Sequence, residues 1–139
     1  MKILIVDDDF TSRLILNTFL SQFGACHIAV NGSEAVEAFG SALVEGKRYD
    51  LVCMDLIMPV MNGREAVQQI RALEENEVIF SHKGANIVMT SAVDDINEVM
   101  ACFGELCDVY LVKPVSLSEL KGQLNLHGLV QEEAELALA

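Results

Sequence analysis

The sequence predicts an α/β protein in which a doubly wound, five-stranded parallel sheet forms the middle of a three-layer sandwich. Along the 139 residues, short apolar runs alternate five times with longer amphipathic runs that have helical spacing. Strands that are apolar along their whole length are typical of a parallel sheet covered by helices on both faces. Right-handed crossovers between such strands produce the doubly wound arrangement, and a chain of this length suits one domain.

The first two repeats begin the alternation of strand and helix. A strand is predicted at residues 2–6, followed by a helix that ends at Gly24. A second strand is predicted at 26–30, followed by a turn at Asn31-Gly32 and a helix capped by Ser33. The residues expected to face the core are Leu16, Phe19, Leu20 and Phe23 in the first helix and Val36, Phe39 and Leu43 in the second.

The third to fifth repeats follow the same plan, with strands predicted at 51–54, 86–89 and 109–112. Asn62 and Glu65 resemble a capping box at the start of the third helix, and Ser116 and Glu119 form one at the start of the last helix. Between them, an apolar stripe predicts a fourth helix. The core-facing residues of these helices are Ala66, Ile70 and Leu73, then Ile96, Val99, Met100 and Phe103, and finally Leu117, Leu120 and Leu124.

Composition narrows the classes of function. Asp and Glu number 21 against 9 Lys and Arg, so the net charge is −12, which disfavours nucleic acid and anionic membranes as main partners. No apolar run is long enough for a transmembrane helix, and three aspartates end the N-terminal apolar run too early for a signal peptide. We therefore expect a cytoplasmic location without membrane insertion. The four cysteines have no C-x-x-C spacing and are expected to be reduced thiols.

Charged and hydroxyl side chains stand where the predicted strands end. The carboxyl ends of parallel strands share one edge of the sheet, and ligands of doubly wound folds bind there. Carboxylates brought together at that edge repel one another, and a divalent cation such as Mg²⁺ relieves the repulsion. With a hydroxyl and a lysine beside it, such a site suits phosphoryl transfer, in which a carboxylate can be the nucleophile. The residues in question are Asp7, Asp8, Asp9, Asp55, Thr90, Ser91 and Lys113.

Four motifs, one at each of these strand ends, resemble those of response-regulator receiver domains, the phosphoacceptor half of two-component signalling. The resemblance covers residues 2–126 and implies the CheY-like, flavodoxin-like strand order 2-1-3-4-5. The motifs are Ile5-Val6-Asp7-Asp8-Asp9, Met54-Asp55-Leu56-Ile57-Met58-Pro59 with Asn62-Gly63, Met89-Thr90-Ser91, and Tyr110-Leu111-Val112-Lys113-Pro114.

The resemblance implies which residues accept the phosphoryl group and hold the metal. Asp55 would be the phosphoacceptor. Asp8 would bind Mg²⁺ or Mn²⁺ directly and Asp7 mainly through water, with Asp55 and the backbone carbonyl of Ile57 as further ligands. The donor would be a sensor histidine kinase or a phosphotransfer histidine. The domain would not be an enzyme, apart from self-phosphorylation by small phosphodonors and slow autodephosphorylation.

The resemblance also implies a switch. Lys113 would pair with Asp55 and then with the phosphoryl group, which Thr90 would contact; the Lys113–Pro114 peptide bond would be cis. Phosphorylation adds charge and acceptor oxygens. Thr90 would then move inward, Tyr110 would turn into the vacated space, and the surface of the fourth helix, fifth strand and fifth helix would change to control a protein partner. The protein would be a monomer or a phosphorylation-dependent dimer that does not bind nucleic acid directly.

Residues 1–128 are expected to form the receiver domain, and 129–139 a C-terminal tail that is a helical extension or a linker. We expect a stand-alone receiver, with a receiver fragment of a larger regulator as the alternative. The first helix is the usual kinase-docking face of the family, although most of so apolar a helix is expected to face the core. Candidate docking residues on it are Ser12, Arg13, Ile15 and Leu16.

Two departures from the family pattern bear on the lifetime of the aspartyl phosphate. Ile57 lies two positions past Asp55, and Ala92 two positions past Thr90. Both positions are often polar in the family and help to orient the attacking water. Neither side chain can do so here by hydrogen bonding, which predicts slow hydrolysis without a phosphatase.

Two other functions compete with the receiver interpretation. Asp7-x-Asp9-x-Thr11 resembles the nucleophile motif of haloacid-dehalogenase-type phosphatases, with Asp7 as nucleophile. That family also requires an acidic pair on a strand after the lysine, and the constellation is absent from this sequence. A flavin-binding module is disfavoured because carboxylates after the first strand would repel the flavin phosphate.

Overall fold

The computed structural model describes residues 1–76, 84–92, 97 and 107–130. The residues on which the fourth predicted helix depends, Ile96, Val99, Met100 and Phe103, lie outside these ranges. The strands are β1 (Lys2–Val6), β2 (Ala25–Ala29), β3 (Leu51–Asp55), β4 (Asn86–Ser91) and β5 (Val109–Val112). The helices are α1 (Phe10–Leu20), α2 (Gly32–Val44), α3 (Gly63–Asn76) and, as the C-terminal helix of the described residues, α4 (Leu117–Leu126).

The five strands form one parallel sheet in the order β2-β1-β3-β4-β5. The order reverses direction beside β1, which is the feature that makes the sheet doubly wound. Asp55 at the end of β3 is in register with Thr90 in β4, and Thr90 is in register with Leu111 in β5. The predicted fold class and strand order are confirmed.

The core lies on both faces of the sheet. Successive side chains of a strand point to opposite faces, and in β1 this places Leu4 and Val6 in one buried cluster and Ile3 and Ile5 in another. The first cluster contains apolar residues of α2 and α3, and the second contains those of α1 and α4. Burial on both faces explains why the strands are apolar throughout.

The start of α2 differs from the prediction. Its N-cap is Asn31, whose side chain accepts a hydrogen bond from the Glu34 N–H, and Gly32 is already helical. The predictions of a turn at Asn31-Gly32 and a cap at Ser33 were therefore wrong. Gly32 N–H donates to the Met61 carbonyl at 3.3 Å, and a Cβ at position 32 would lie only 2.6 Å from that oxygen. This close approach places Asn31 at the cap.

Strand ends also differ slightly from the sequence predictions. β2 begins and ends one residue earlier than expected, and β3 and β4 are longer, so that Asp55, Thr90 and Ser91 belong to strands. Asn62 accepts from the Glu65 N–H at 2.9 Å, as a capping residue does. Ser116 caps α4 in the same way, accepting from Glu119 N–H.

The C-terminus of α4 is closed by Gly128, which has a φ of 73°. The N–H of Gly128 donates to Asn125 and the N–H of Leu129 donates to Leu124, the pair of bonds that ends many helices at a left-handed glycine. Leu129 and Val130, the first residues of the predicted tail, pack against the core cluster of α1 and α4. In the described part of the chain, no helix combines the length and apolar character needed to cross a membrane.

Candidate functional site

Three carboxylates converge at the carboxyl edge of the sheet. Asp7 directly follows β1, Asp8 comes next, and Asp55 is the last residue of β3. One oxygen of each lies within 4.8 Å of the others. Asp7 and Asp55 are buried, whereas Asp8 is exposed. The three side chains that the sequence assigned to a metal site are thus together, with one of them open to solvent.

Lys113, directly after β5, inserts its ammonium group between two of these carboxylates. Its Nζ lies 2.9 Å from Oδ2 of Asp7 and 3.4 Å from Oδ2 of Asp55. The sequence prediction paired Lys113 with Asp55, but the shorter contact is to Asp7. The lysine therefore neutralises part of the charge on both buried acids.

Asp7 is held by further contacts within the β1–α1 turn. Its Oδ1 accepts the N–H of Asp9 at 2.9 Å, and its main-chain carbonyl accepts Nη1 of Arg13 at 3.0 Å. Asp9 is itself the N-cap of α1, accepting the N–H of Ser12. Both carboxylate oxygens of Asp7 are engaged, which suits a fixed, indirect role in ion binding better than a nucleophilic one.

The electrostatics of the site follow from burial and from these contacts. Burial and the neighbouring Asp7 carboxylate raise the pKa of Asp55 to about 6, although Lys113 opposes the rise. Burial alone would lower the pKa of Lys113, but the hydrogen bond to Asp7 and the charge of Asp55 raise it. The pKa of Asp9 is lowered by its capping hydrogen bond with Ser12. Asp55 is thus ionised near neutral pH, at a cost to the folded state.

The loop that follows Asp55 is held against two neighbouring segments. Leu56 N–H donates to the main-chain carbonyl of Thr90, and Gly63 N–H donates to the Leu56 carbonyl, each at 2.8 Å. A Cβ on Gly63 would lie 2.2 Å from the Asp55 carbonyl oxygen, so only glycine allows the loop to close over the strand end. Met61, in the same loop, is the residue whose carbonyl accepts the N–H of Gly32.

Val60 adopts a left-handed conformation in this loop, with a φ of 70°. It is the central residue of a tight turn in which Met61 N–H donates to the Pro59 carbonyl at 2.8 Å. A β-branched residue is strained in that region, and Val60 is 82% exposed. The sequence contains no signal for it, because glycine or asparagine would be expected at such a position.

The remaining predicted site residues surround this cluster. Thr90 is buried beside Asp55 in the strand register. Tyr110 is partly buried and packs against the core cluster of α2 and α3. The Ile57 side chain is 61% exposed, and the Lys113–Pro114 peptide bond is cis.

An apolar surface lies beside the acidic cluster on α1. Only Leu16 and Leu20 of this helix are buried, whereas Phe10, Leu14 and Ile15 are 68%, 54% and 49% exposed. The expectation that most of α1 faces the core was therefore wrong. Next to these side chains, an open groove of about 360 Å³ runs between α1 and the segment after β5, lined by Ser12, Ile15, Leu16, Lys113, Pro114 and Val115.

Known proteins share this sequence pattern over most of the chain. A family model described as the response regulator receiver domain matches residues 3–125. Sensor protein GacS of Pseudomonas syringae pv. syringae is 36% identical over 120 residues, which cover 86% of this chain and 12% of that protein. Hybrid signal transduction histidine kinase G of Dictyostelium discoideum is 34% identical over 131 residues, which cover 92% of this chain and 4% of that protein. The chain thus spans a small part of the length of these relatives.

Solved structures agree with the sequence matches. The co-crystal structure of the Saccharomyces cerevisiae histidine phosphotransfer protein Ypd1 with the receiver domain of Ssk1 matches with a TM-score of 0.75 and 31% identity, covering 90% of this chain and 86% of that one. The CheX–CheY–BeF₃–Mg²⁺ complex of Borrelia burgdorferi also matches with a TM-score of 0.75, at 25% identity, covering 94% and 90%. With its strand order, its acidic edge and a family match over nearly its full length, the chain belongs to the response regulator receiver domains.

Proposed function

We propose that the carboxylate of Asp55 accepts a phosphoryl group from a phosphorylated histidine, in a reaction that requires Mg²⁺ or Mn²⁺. The observation that carries this proposal is the cluster at the carboxyl edge of the sheet, where the carboxylates of Asp7, Asp8 and Asp55 lie within 4.8 Å of one another. Lys113 contacts two of the three. The family is a signalling domain, and two-component phosphorylation is the function that this arrangement supports best.

The chemistry is a displacement at phosphorus. An ionised Oδ of Asp55 attacks the phosphorus atom, the new O–P bond forms, and the N–P bond of the phosphohistidine breaks with its electron pair returning to the imidazole. Once the Lys113 ammonium group is released from Asp55, it would stabilise the charge on the phosphoryl oxygens. The hydroxyl of Thr90, which is in register with Asp55, would donate a hydrogen bond to the phosphoryl group of the product.

The residues present fit a hard divalent cation, because the donor set consists of clustered carboxylate oxygens. Asp8, Asp55, the backbone carbonyl of Ile57 and, mainly through water, Asp7 would hold it. When bound, such an ion supplies charge neutralisation at the phosphoryl oxygens. Asp8 is the exposed member of the cluster and is therefore the most accessible to an incoming ion.

The phosphodonor is proposed to dock on α1. The exposed side chains of Phe10, Leu14 and Ile15 offer an apolar surface. The adjoining groove is lined in part by Lys113, which contacts Asp55. A contiguous apolar patch rimmed by charge is typical of a protein-binding surface. The yeast neighbour was crystallised with a histidine phosphotransfer protein, and a protein that carries a phosphorylated histidine is the partner proposed for this surface.

The output is proposed to be a change in the surface near Tyr110. Phosphorylation would draw Thr90 toward the acceptor and let Tyr110 rotate, which shifts the population between two states of that surface. The position of Tyr110 supports this proposal, because its side chain packs against the core cluster and is also partly open to solvent. The downstream partner would be a protein.

The test is incubation of the protein with acetyl phosphate and Mg²⁺, read by intact mass. We expect the mass of one phosphoryl group to appear on the wild type and on Asp50→Asn, a control that removes a carboxylate at the opposite end of the sheet. We expect no gain for Asp55→Asn. Persistence of the gain in Asp55→Asn, with a loss in Asp7→Asn, would instead support the phosphatase-type chemistry, which the two engaged oxygens of Asp7 disfavour.

A further inference from the structure

Arg13 spans the β1–α1 turn that carries two of the clustered acids. From the first turn of α1 its Nη1 reaches back to the main-chain carbonyl of Asp7 at 3.0 Å. Its own N–H donates to the Asp9 carbonyl, also at 3.0 Å, and its guanidinium lies 5.8 Å from the centre of the Phe10 ring. One side chain thus ties the start of the helix to the end of the strand.

The contact from Arg13 holds a segment that repulsion among the clustered carboxylates tends to displace. Asp7, Asp8 and Asp55 are mutually repulsive when no cation is bound, and Lys113 approaches only Asp7 and Asp55 among the three. The Asp7 carboxylate is fixed by Lys113 and by the Asp9 N–H. The main chain that leads into Asp8 is fixed by the bond from Arg13 to the Asp7 carbonyl. A guanidinium is well suited to this role, because it stays charged and its donors have a rigid geometry.

We propose that Arg13 is a positioning residue for the acidic site. By holding the Asp7 carbonyl, it keeps the β1–α1 turn in the conformation in which the carboxylates of Asp7 and Asp8 face Asp55. This inference rests on the proposed function, since it concerns the same ion site. A positioning role differs from a docking role for Arg13, because positioning affects Mg²⁺ binding even when no protein partner is present.

A positioning role and a purely electrostatic role of Arg13 predict opposite changes in Mg²⁺ affinity when the residue is removed. If Arg13 acted only through its positive charge, removing it would make the site more negative and strengthen Mg²⁺ binding. If it positions the turn, its removal weakens Mg²⁺ binding. The loss of one charged hydrogen bond corresponds to about a tenfold weaker affinity. Arg13→Lys retains the charge and a hydrogen-bonding nitrogen but not the rigid geometry of the guanidinium, and this variant is expected to bind Mg²⁺ with intermediate affinity.

The experiment is calorimetric titration of Mg²⁺ into the wild type, Arg13→Ala and Arg13→Lys, with Arg48→Ala as a control that removes the same charge from the opposite end of the sheet. Circular dichroism spectra and thermal unfolding verify that each variant is folded. We expect about a tenfold loss of affinity for Arg13→Ala and wild-type affinity for Arg48→Ala. With acetyl phosphate, Arg13→Ala should need more Mg²⁺ for half-maximal phosphorylation but reach the wild-type rate at saturation.

Each outcome bears on one of the two proposals. Unchanged or tighter Mg²⁺ binding by Arg13→Ala, beside normal binding by the wild type, overturns the positioning role and leaves the proposed function standing. An equal loss in Arg48→Ala also overturns it, because the loss would then not depend on the contact between Arg13 and the Asp7 carbonyl. A wild type that binds no Mg²⁺ and gains no mass contradicts the proposed function itself.

Discussion

Replacement of Asp55 by asparagine should stabilise the folded protein when no divalent cation is present. Burial and Asp7 raise the pKa of Asp55 from 3.8 to about 6, so its ionisation costs the folded state free energy that the unfolded chain does not lose. With about 1.4 kcal/mol per pKa unit, the gain in unfolding free energy for Asp55→Asn is roughly 3 kcal/mol at about pH 7.5. For a domain of this size that corresponds to a rise of about 10 °C in the unfolding temperature.

The sign of the pH dependence follows from the same pKa values. Because the folded protein binds the Asp55 proton more tightly than the unfolded chain does, wild-type stability falls as pH rises from about 4 through about 6. The advantage of Asp55→Asn should therefore shrink to roughly 1 kcal/mol at about pH 4.5. Added Mg²⁺ should also reduce it, because the wild type gains the free energy of binding.

Urea unfolding followed by circular dichroism, in a metal chelator and at both pH values, measures these differences. Glu37→Gln, which neutralises an exposed carboxylate on α2, serves as the control and should change stability by less than about 0.5 kcal/mol. Equal stability of Asp55→Asn and the wild type at both pH values would refute the reasoning, since it would mean that Asp55 ionises without cost. A difference that does not depend on pH would refute it as well.

Three further predictions concern the loop after Asp55 and one helix. Gly63→Ala should lower the unfolding free energy by at least about 2 kcal/mol, because the added Cβ would overlap the Asp55 carbonyl. Gly122→Ala in α4 is the control, since a Cβ there meets nothing within 4 Å. It should raise the unfolding free energy by about 0.5–1 kcal/mol in the same urea titration. Val60→Asn should stabilise the protein by about 1 kcal/mol, since asparagine tolerates the positive φ; a loss of stability would contradict the assigned strain. Ile57→Asn should shorten the lifetime of the aspartyl phosphate several-fold, measured as phosphate release in Mg²⁺, and an unchanged lifetime would reject a role for position 57 in hydrolysis.

The fold and the acidic edge could be predicted because they depend on patterns that the sequence carries directly. Five apolar runs specify a sheet buried on both faces, and the carboxyl ends of parallel strands lie at one edge, so Asp7, Asp55 and Lys113 had to meet. Which of the two carboxylates Lys113 contacts more closely could not be predicted in the same way. Whether the lysine lies nearer to Asp7 or to Asp55 depends on differences of a few tenths of an ångström, which only the packed structure determines.

Other features depended on tertiary contacts without a sequence signal. Asn31 and Ser33 are both good capping residues, and the contact of Gly32 with the neighbouring loop decides between them. The exposed Leu14 and Ile15 have the same apolar character as the buried residues of α1, so the composition of the helix suggested that most of it faces the core. The bond from Arg13 to the Asp7 carbonyl depends on the reach of a long side chain across a turn.

The contact between Gly32 and Met61 links two segments that are distant in the chain. Since position 32 has no room for a side chain, any larger residue there must displace the Met61 carbonyl, and with it the loop that begins at Asp55. We therefore expect substitutions of glycine to be poorly tolerated at position 32 as well as at position 63 in a saturation mutagenesis screen. Selection for phosphoryl uptake would then restrict the start of α2, a helix that carries none of the clustered carboxylates.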